Sequence, residues 1–99
     1  MTNNNFQNLC ETALTHLCDQ VETLDKNSKL DVDYSDGILE IVVVASNQTY
    51  VINRNLGNQK IWYSSPITGA DYFSFDEKWL NAKGEELEIK LLGELKNLI

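Results

Sequence analysis

Apolar side chains recur every three or four residues near both ends of the chain. Between Phe6 and Leu24 the apolar positions are Phe6, Leu9, Cys10, Ala13, Leu14, Leu17, Val21 and Leu24. Between Glu85 and Ile99 the same spacing returns at Leu87, Leu91, Leu95 and Leu98. Residues with this spacing lie on one side of an α-helix. The pattern therefore predicts an amphipathic helix at each end of the chain.

Between these helices the apolar residues alternate with polar ones, which is the period of a β-strand buried on one face. Asp36-Gly37 supplies the positive φ angles of a tight hairpin, and further turn residues follow at intervals. The turns divide the segment into six predicted strands, at residues 30–34, 38–44, 49–54, 59–64, 71–75 and 78–81.

Consecutive hairpins favour an antiparallel meander, and two helices with one apolar stripe each are best buried side by side on one face of it. We therefore predict an α+β fold, a two-layer α/β sandwich in the order αββββββα. Its six-stranded antiparallel sheet carries the N- and C-terminal helices on one face. A chain of 99 residues with 42% apolar content has material for one core, so residues 1–99 are predicted to form a single domain.

The net charge of −7 is concentrated in the first part of the chain. Residues 1–40 hold eight acids and two lysines, whereas residues 41–99 hold seven acids and six bases. An acidic surface repels phosphate backbones and attracts cations or a basic protein, so no nucleic-acid partner is expected. No apolar run reaches the ~20 residues of a membrane-spanning helix, and no secretory or transit pattern is present. We expect a cytoplasmic protein without a membrane partner.

Several of these acids share a face of their predicted element. They are Glu11, Asp19, Glu22 and Asp25 on the first helix and Asp31 and Asp33 on the first strand. Carboxylate oxygens suit hard cations, so adjacent helix and strand faces predict an open, weak, multi-site cation site. No EF-hand loop is present. The alternative is a solvated acidic face that maintains solubility.

The candidate nucleophiles and bases are few. His16 is the single histidine, one helical turn before Asp19, where it could join a metal cluster or simply be solvated. Cys10 and Cys18 are about 12 Å apart along a helix, too far for a disulfide. Cys10 is predicted to be buried, and the acids near Cys18 would raise the pKa of its thiol and make it a poor nucleophile. We find no phosphate loop, nucleophile elbow or zinc spacing, so an enzyme is disfavoured.

The fourth predicted strand offers an exposed aromatic residue. If Ile61 faces the helices, alternation places Trp62 on the open face of the sheet, with Lys60 on the same face. Exposed aromatic side chains often anchor protein interfaces, which makes Trp62 a candidate contact. The alternative is that neighbouring strands partly cover it. Trp79 is predicted to be in the core.

Two stretches of this chain closely resemble the signature strands of the frataxin family. They are Thr49-Tyr50-Val51-Ile52-Asn53-Arg54 and Asn58-Gln59-Lys60-Ile61-Trp62-Tyr63-Ser64-Ser65-Pro66, followed by Gly69. An acidic first helix and first strand precede these strands in that family too, and a second helix follows. The chain looks like the bacterial branch, although Lys60 stands where the family usually has Gln.

The resemblance implies an iron-binding accessory and regulatory protein of iron–sulfur cluster assembly. It implies weakly bound iron, as Fe²⁺ or Fe³⁺, on an acidic ridge that corresponds here to Glu11, Asp19, Glu22, Asp25, Asp31 and Asp33. It implies docking on a cysteine desulfurase and its scaffold protein through Asn53, Lys60 and Trp62. We expect a monomer, with iron-dependent oligomers as an alternative.

Two other functions remain open at this stage. One is an acidic interaction module whose metal binding is incidental. The other is a weak ferroxidase, an activity attributed to some relatives, although no catalytic residue is predicted here.

Overall fold

The computed structural model describes residues 3–99, with side chains from Asn5 onward, as two helices and six strands. The helices are α1 (Asn3–Leu24) and α2 (Leu87–Lys96). The strands are β1 (Leu30–Ser35), β2 (Ile38–Val43), β3 (Gln48–Asn55), β4 (Lys60–Ser65), β5 (Gly69–Asp76) and β6 (Lys78–Leu80). The predicted α+β sandwich is confirmed. In the described part of the chain, no helix is long and apolar enough to cross a membrane.

The start of α2 differs slightly from the prediction. The spacing predicted a helix from Glu85, but Glu86 has an extended backbone and pairs with Leu80 across an isolated bridge. The backbone N–H of Glu85 also donates to Asn81 Oδ1 at 2.8 Å. Because these contacts hold residues 85 and 86 in extended backbone, α2 begins at Leu87.

The six strands form one antiparallel sheet in chain order, from β1 to β6. Its first hairpin closes through Asp36 and Gly37, whose φ angles are 50° and 77°. Positive φ at both central residues matches the twist of the flanking strands. A Cβ at Gly37 would lie 2.6 Å from Arg54 Nε, so any other residue here would also displace the Arg54 side chain.

Alternation along the strands gives the sheet one buried face and one open face. The buried face packs against both helices, as the pattern predicted. Its fully covered side chains include Leu39, Ile41, Tyr50, Ile52, Ile61, Tyr63 and Phe73. The helices contribute Phe6, Cys10, Leu14, Leu17, Val21, Leu87, Leu91 and Leu95. Trp79 is buried too, so both predictions of core position, for Cys10 and Trp79, are confirmed.

A single carboxylate on the buried side of α2 fastens that helix to the sheet. Four hydroxyl groups donate to Glu94: Ser65 Oγ at 2.5 Å, Tyr63 Oη at 3.0 Å, Thr68 Oγ1 at 3.0 Å and Tyr50 Oη at 3.1 Å. Lys90 Nζ lies 3.5 Å from the same carboxylate. Burial by itself would raise the pKa of Glu94, but the hydroxyl donors outweigh it and lower that pKa below its usual value.

Ser65 connects this carboxylate to the turn between β4 and β5. Its Oγ donates to Glu94 and accepts the backbone N–H groups of Ile67 at 3.0 Å and Thr68 at 3.1 Å. The hydroxyl thus fixes the turn and the helix together. The second serine of the Ser64-Ser65-Pro66 motif is therefore explained by the fold.

Glu94→Gln is expected to reduce the free energy of unfolding at neutral pH by about 2 kcal/mol, because the amide keeps one acceptor oxygen and loses the charge. The folded-state pKa of Glu94 lies below its unfolded value. The stabilisation is therefore complete above the unfolded pKa and is lost as the pH falls through the folded pKa. Urea unfolding over this acid range should show the difference between the two chains shrinking. The exposed Glu40→Gln is the matched control, and equal stability of both variants at neutral pH would contradict the assignment.

Candidate metal and docking site

Helix α1 lies beside β1 at one edge of the sheet, as the predicted metal site requires. The Tyr34 hydroxyl of β1 donates to the carboxylate of Glu11 on α1. Further along the helix, Cys18 Sγ donates to Glu22 Oε1 at 3.6 Å. The pKa of the Cys18 thiol is raised by its partial burial first and then by Glu22, Asp19 and Asp33. Carboxylates of both elements therefore act on one thiol.

Asp25 has a structural role that the charge pattern did not reveal. It follows the last residue of α1, and its two carboxylate oxygens accept the backbone N–H groups of Lys29 at 2.8 Å and Leu30 at 2.9 Å. These bonds shape the loop from α1 into β1. Each carboxylate oxygen of Asp25 already accepts a backbone N–H, so Asp25 has fewer free lone pairs for a cation than the acids that make no such bonds.

Asp19, Asp31 and Asp33 are the least engaged members of the predicted set. Among side chains from residue 5 onward, none of the three has a hydrogen bond or an ion pair. Asp31 and Asp33 project from the open face of β1, and Asp33 lies opposite Glu40 of β2. Like charges placed opposite each other repel. A cation that bridged Asp33 and Glu40 would relieve this repulsion.

Glu40 is an acidic neighbour of the predicted ligands that was missing from the sequence prediction. The signal for it was the Asp36-Gly37 turn, because a two-residue hairpin fixes the register of the whole strand pair. Ser35 lies opposite Ile38, so two residues back along β1 and two residues forward along β2 place Asp33 opposite Glu40.

The acids do not form a ready-made metal cluster. In the described range, no three His, Cys, Asp or Glu side chains are placed together to hold a metal ion. For His16, a place beside Asp19 in such a cluster and simple solvation were both left open. Its Nε2 lies 2.8 Å from Glu88 Oε1 on α2, and its side chain is about half exposed. The ridge oxygens have the right chemistry for a hard cation, but they would have to move toward it or hold it through water.

A row of larger side chains crosses the open face beside these acids. Ile38, Asn53, Trp62 and Tyr72 lie directly opposite one another on successive strands. Trp62 meets the ring of Tyr72 with centroids 4.9 Å apart at an angle of 62°. Trp62 is therefore on the open face, as alternation predicted, and is also partly covered by its neighbour. Ile38 and Tyr72 remain 45% and 37% exposed.

Asn53 occupies the centre of this row with an unsatisfied acceptor. Its side-chain Oδ1 is buried and has no hydrogen-bond partner among the described residues. A buried acceptor without a donor costs roughly 1–3 kcal/mol. Because this oxygen is covered, a bound partner could supply a donor only if the side chain of Asn53 moved. Lys60, two residues before Trp62 on β4, lies on the same face of the sheet, opposite Asn55 of β3.

A family model for the frataxin-like domain matches residues 1–99. The chain belongs to the frataxin family. It is 39% identical over 74 residues to the mitochondrial frataxin homolog of Drosophila melanogaster, a match that covers 71% of this chain and 39% of that protein. This frataxin domain thus spans well under two thirds of that relative's length.

Solved structures of frataxins share the fold. A trimeric frataxin from the yeast Saccharomyces cerevisiae, complexed with ferrous iron, is 30% identical with a TM-score of 0.79, over 91% of this chain and 84% of that one. A frataxin from Psychromonas ingrahamii has a TM-score of 0.80 at 16% identity, over 97% of this chain and 89% of that one. The second match shows the fold alone. Together they confirm the arrangement of two helices on a six-stranded sheet.

Substitution of Asp25 and of Asp31 is expected to change the free energy of unfolding by different amounts. Asp25→Ala removes two backbone hydrogen bonds to a charged acceptor and is expected to reduce the free energy of unfolding by about 2–3 kcal/mol. Asp31→Ala is the matched control, because its exposed side chain makes no such bond, and its effect should stay within about 0.5 kcal/mol. Urea unfolding at neutral pH measures both. Equal losses would show that Asp25 is not a structural residue.

Proposed function

We propose that this frataxin-family chain is an iron-binding accessory protein of iron–sulfur cluster assembly, which docks on a cysteine desulfurase and its scaffold protein. The observation that carries the proposal is the continuity of two features on the open face of the sheet. Asp31, Asp33 and Glu40 lie along one edge, and the row through Asn53 and Trp62 crosses the same face.

The acidic edge supports iron binding. Asp19, Asp31 and Asp33 present carboxylates that the fold does not use, and Glu40 adds a fourth across the β1–β2 pair. Hard cations accept flexible shells of carboxylate and water oxygens. The ferrous iron in the related yeast structure is consistent with this assignment. Weak, open binding suits iron that is held as cargo and passed to another protein.

The aromatic row supports docking. Trp62 offers a large surface on a rigid strand, and Asn53 lies directly opposite it at the centre of the row. Aromatic residues at the centre of an interface carry much of its binding energy. The acids on β1 and β2 and Lys60 on β4 place opposite charges on different strands of this face, which would orient a charged partner.

The interaction module without a dedicated metal role is the second candidate. The observation that favours it is that the least engaged acids, Asp31 and Asp33, stand on the docking face itself rather than in a coordination cluster. In that case the carboxylates contact a basic partner, and cations only compete with it.

A four-site amide variant separates these two functions. The changes are Asp19→Asn, Glu22→Gln, Asp31→Asn and Asp33→Asn. Stability should be unchanged or slightly higher, because repulsion is removed and the core is untouched. Under anaerobic conditions, Fe²⁺-induced NMR shifts at residues 11–33 should disappear, since an amide oxygen is a weaker ligand for a hard cation.

Partner binding is measured on the same variant over a range of salt concentrations. A docking patch predicts that salt weakens binding of the natural chain and that the variant loses this dependence. Asp76→Asn with Glu77→Gln, at the exposed β5–β6 turn, is the control for removed charge. A ridge variant that keeps both its iron shifts and its salt-sensitive binding would show that the acids only solvate the surface.

Trp62→Ala tests the docking face. The melting temperature is expected to change by only a few degrees, because Trp62 is outside the core. Binding to the desulfurase and scaffold proteins should weaken by about 2 kcal/mol or more, as for an interface hot spot. Ile67→Ala, at an exposed apolar residue in the β4–β5 turn, is the matched control and should bind normally. Unfolding of the Trp62 variant, or unchanged binding, would contradict the proposed face.

A further inference from the structure

A groove lies between α1, the start of α2 and the hairpin of β5 and β6, on the helix side of the molecule. Its volume is about 370 Å³. The apolar lining consists of Leu9, Ala13, Leu17, Phe75, Trp79 and Leu87. The rings of Phe75 and Trp79 meet with centroids 5.3 Å apart at an angle of 59°. Phe75 is 40% exposed, so an aromatic surface is open to a ligand.

The rim of this groove is charged and unbalanced. Glu77, Glu86 and Glu88 supply three carboxylates, against the ammonium of Lys78 and the imidazole of His16. Lys78 Nζ lies 3.8 Å from Glu86 Oε2, and His16 Nε2 lies 2.8 Å from Glu88 Oε1. The carboxylates outnumber their partners, so the rim favours a positively charged ligand over a negatively charged one.

We propose that this groove binds a small organic cation with an aromatic body, of the arylalkyl ammonium class. Aromatic rings attract one another edge to face, and the exposed ring of Phe75, which packs on the largely buried Trp79, provides the surface for such a contact. A cation gains further from the faces of aromatic rings and from carboxylates at the rim. The volume matches a ligand of small-molecule size, which favours this occupant over a protein segment.

The groove is separate from the proposed iron and docking functions. Ala13 and His16 lie on the side of α1 that faces α2 and the β5–β6 hairpin. Glu11 and Glu22 lie on the other side of the helix, toward β1. The row of Ile38, Asn53, Trp62 and Tyr72, which is proposed for docking, lies on the opposite face of the sheet. A ligand in the groove would therefore leave the ridge and the docking face uncovered.

Two probes with the same body and opposite charges test the proposal. We would titrate 2-phenylethylamine and 3-phenylpropionate into ¹⁵N-labelled protein and follow the indole of Trp79 and the amide of Ala13. The ammonium probe is expected to shift these signals with a dissociation constant at least about tenfold lower than that of the carboxylate. Absence of groove shifts, equal affinity for both probes, or shifts confined to the ridge would overturn the proposal.

Variants locate the binding. Glu86→Gln with Glu88→Gln should weaken ammonium binding several-fold, whereas Asp31→Asn with Asp33→Asn removes the same charge at the ridge and should leave groove binding unchanged. Ala13→Phe should fill the groove and abolish the shifts. If Ala13→Phe does not fold, the two surface variants decide the question. Equal weakening by both pairs, or binding only of a basic aromatic peptide and not of the amine, would overturn the assignment to a small cation.

Discussion

When helices cover only one face of a sheet, every second residue of each strand points into the core and the residues between them point into solvent. This constraint separates Ile61, which is fully buried, from Trp62, which stands on the open face. It also places Asp31 and Asp33 on the same side as Trp62. The shared position of acids and aromatic residues is therefore a consequence of one-sided burial, and both proposed roles of that face depend on it.

Much of the fold and part of the site could be predicted from periodicity, because the periods of 3.6 and two are local properties of the chain. The position of Glu40 could have been predicted too, since the Asp36-Gly37 turn fixes its register. The role of Asp25 could not, because its bonds depend on the backbone path through residues 26–29, where Ser28 has φ of 55°. Sequence reasoning placed Asp25 with the metal ligands from its charge, its face of the predicted helix and the family resemblance.

The most strongly bonded acid in the structure, Glu94, was likewise missed. Its partners come from β3, from β4 and from the turn after β4, and no local pattern brings these segments together. One signal was present, since Glu94 is seven residues after Leu87 and so falls on the apolar stripe of α2. A charged residue at a core position needs several polar partners. Here hydroxyl groups supply them, including the one from Ser65 in a motif that could be mistaken for a contact site.

Helix α1 carries the ridge on one side and lines the groove on the other, so cations at both sites would repel each other across it. A helix with its side chains is about 10 Å across, and two unit charges at that distance in water interact by only about 0.4 kcal/mol. A divalent ion doubles this value, and physiological salt screens most of it over about 8 Å. The repulsion is small beside the roughly 2 kcal/mol of one interface hot spot. Iron on the ridge and an organic cation in the groove would therefore bind almost independently, and coupling would require movement of α1.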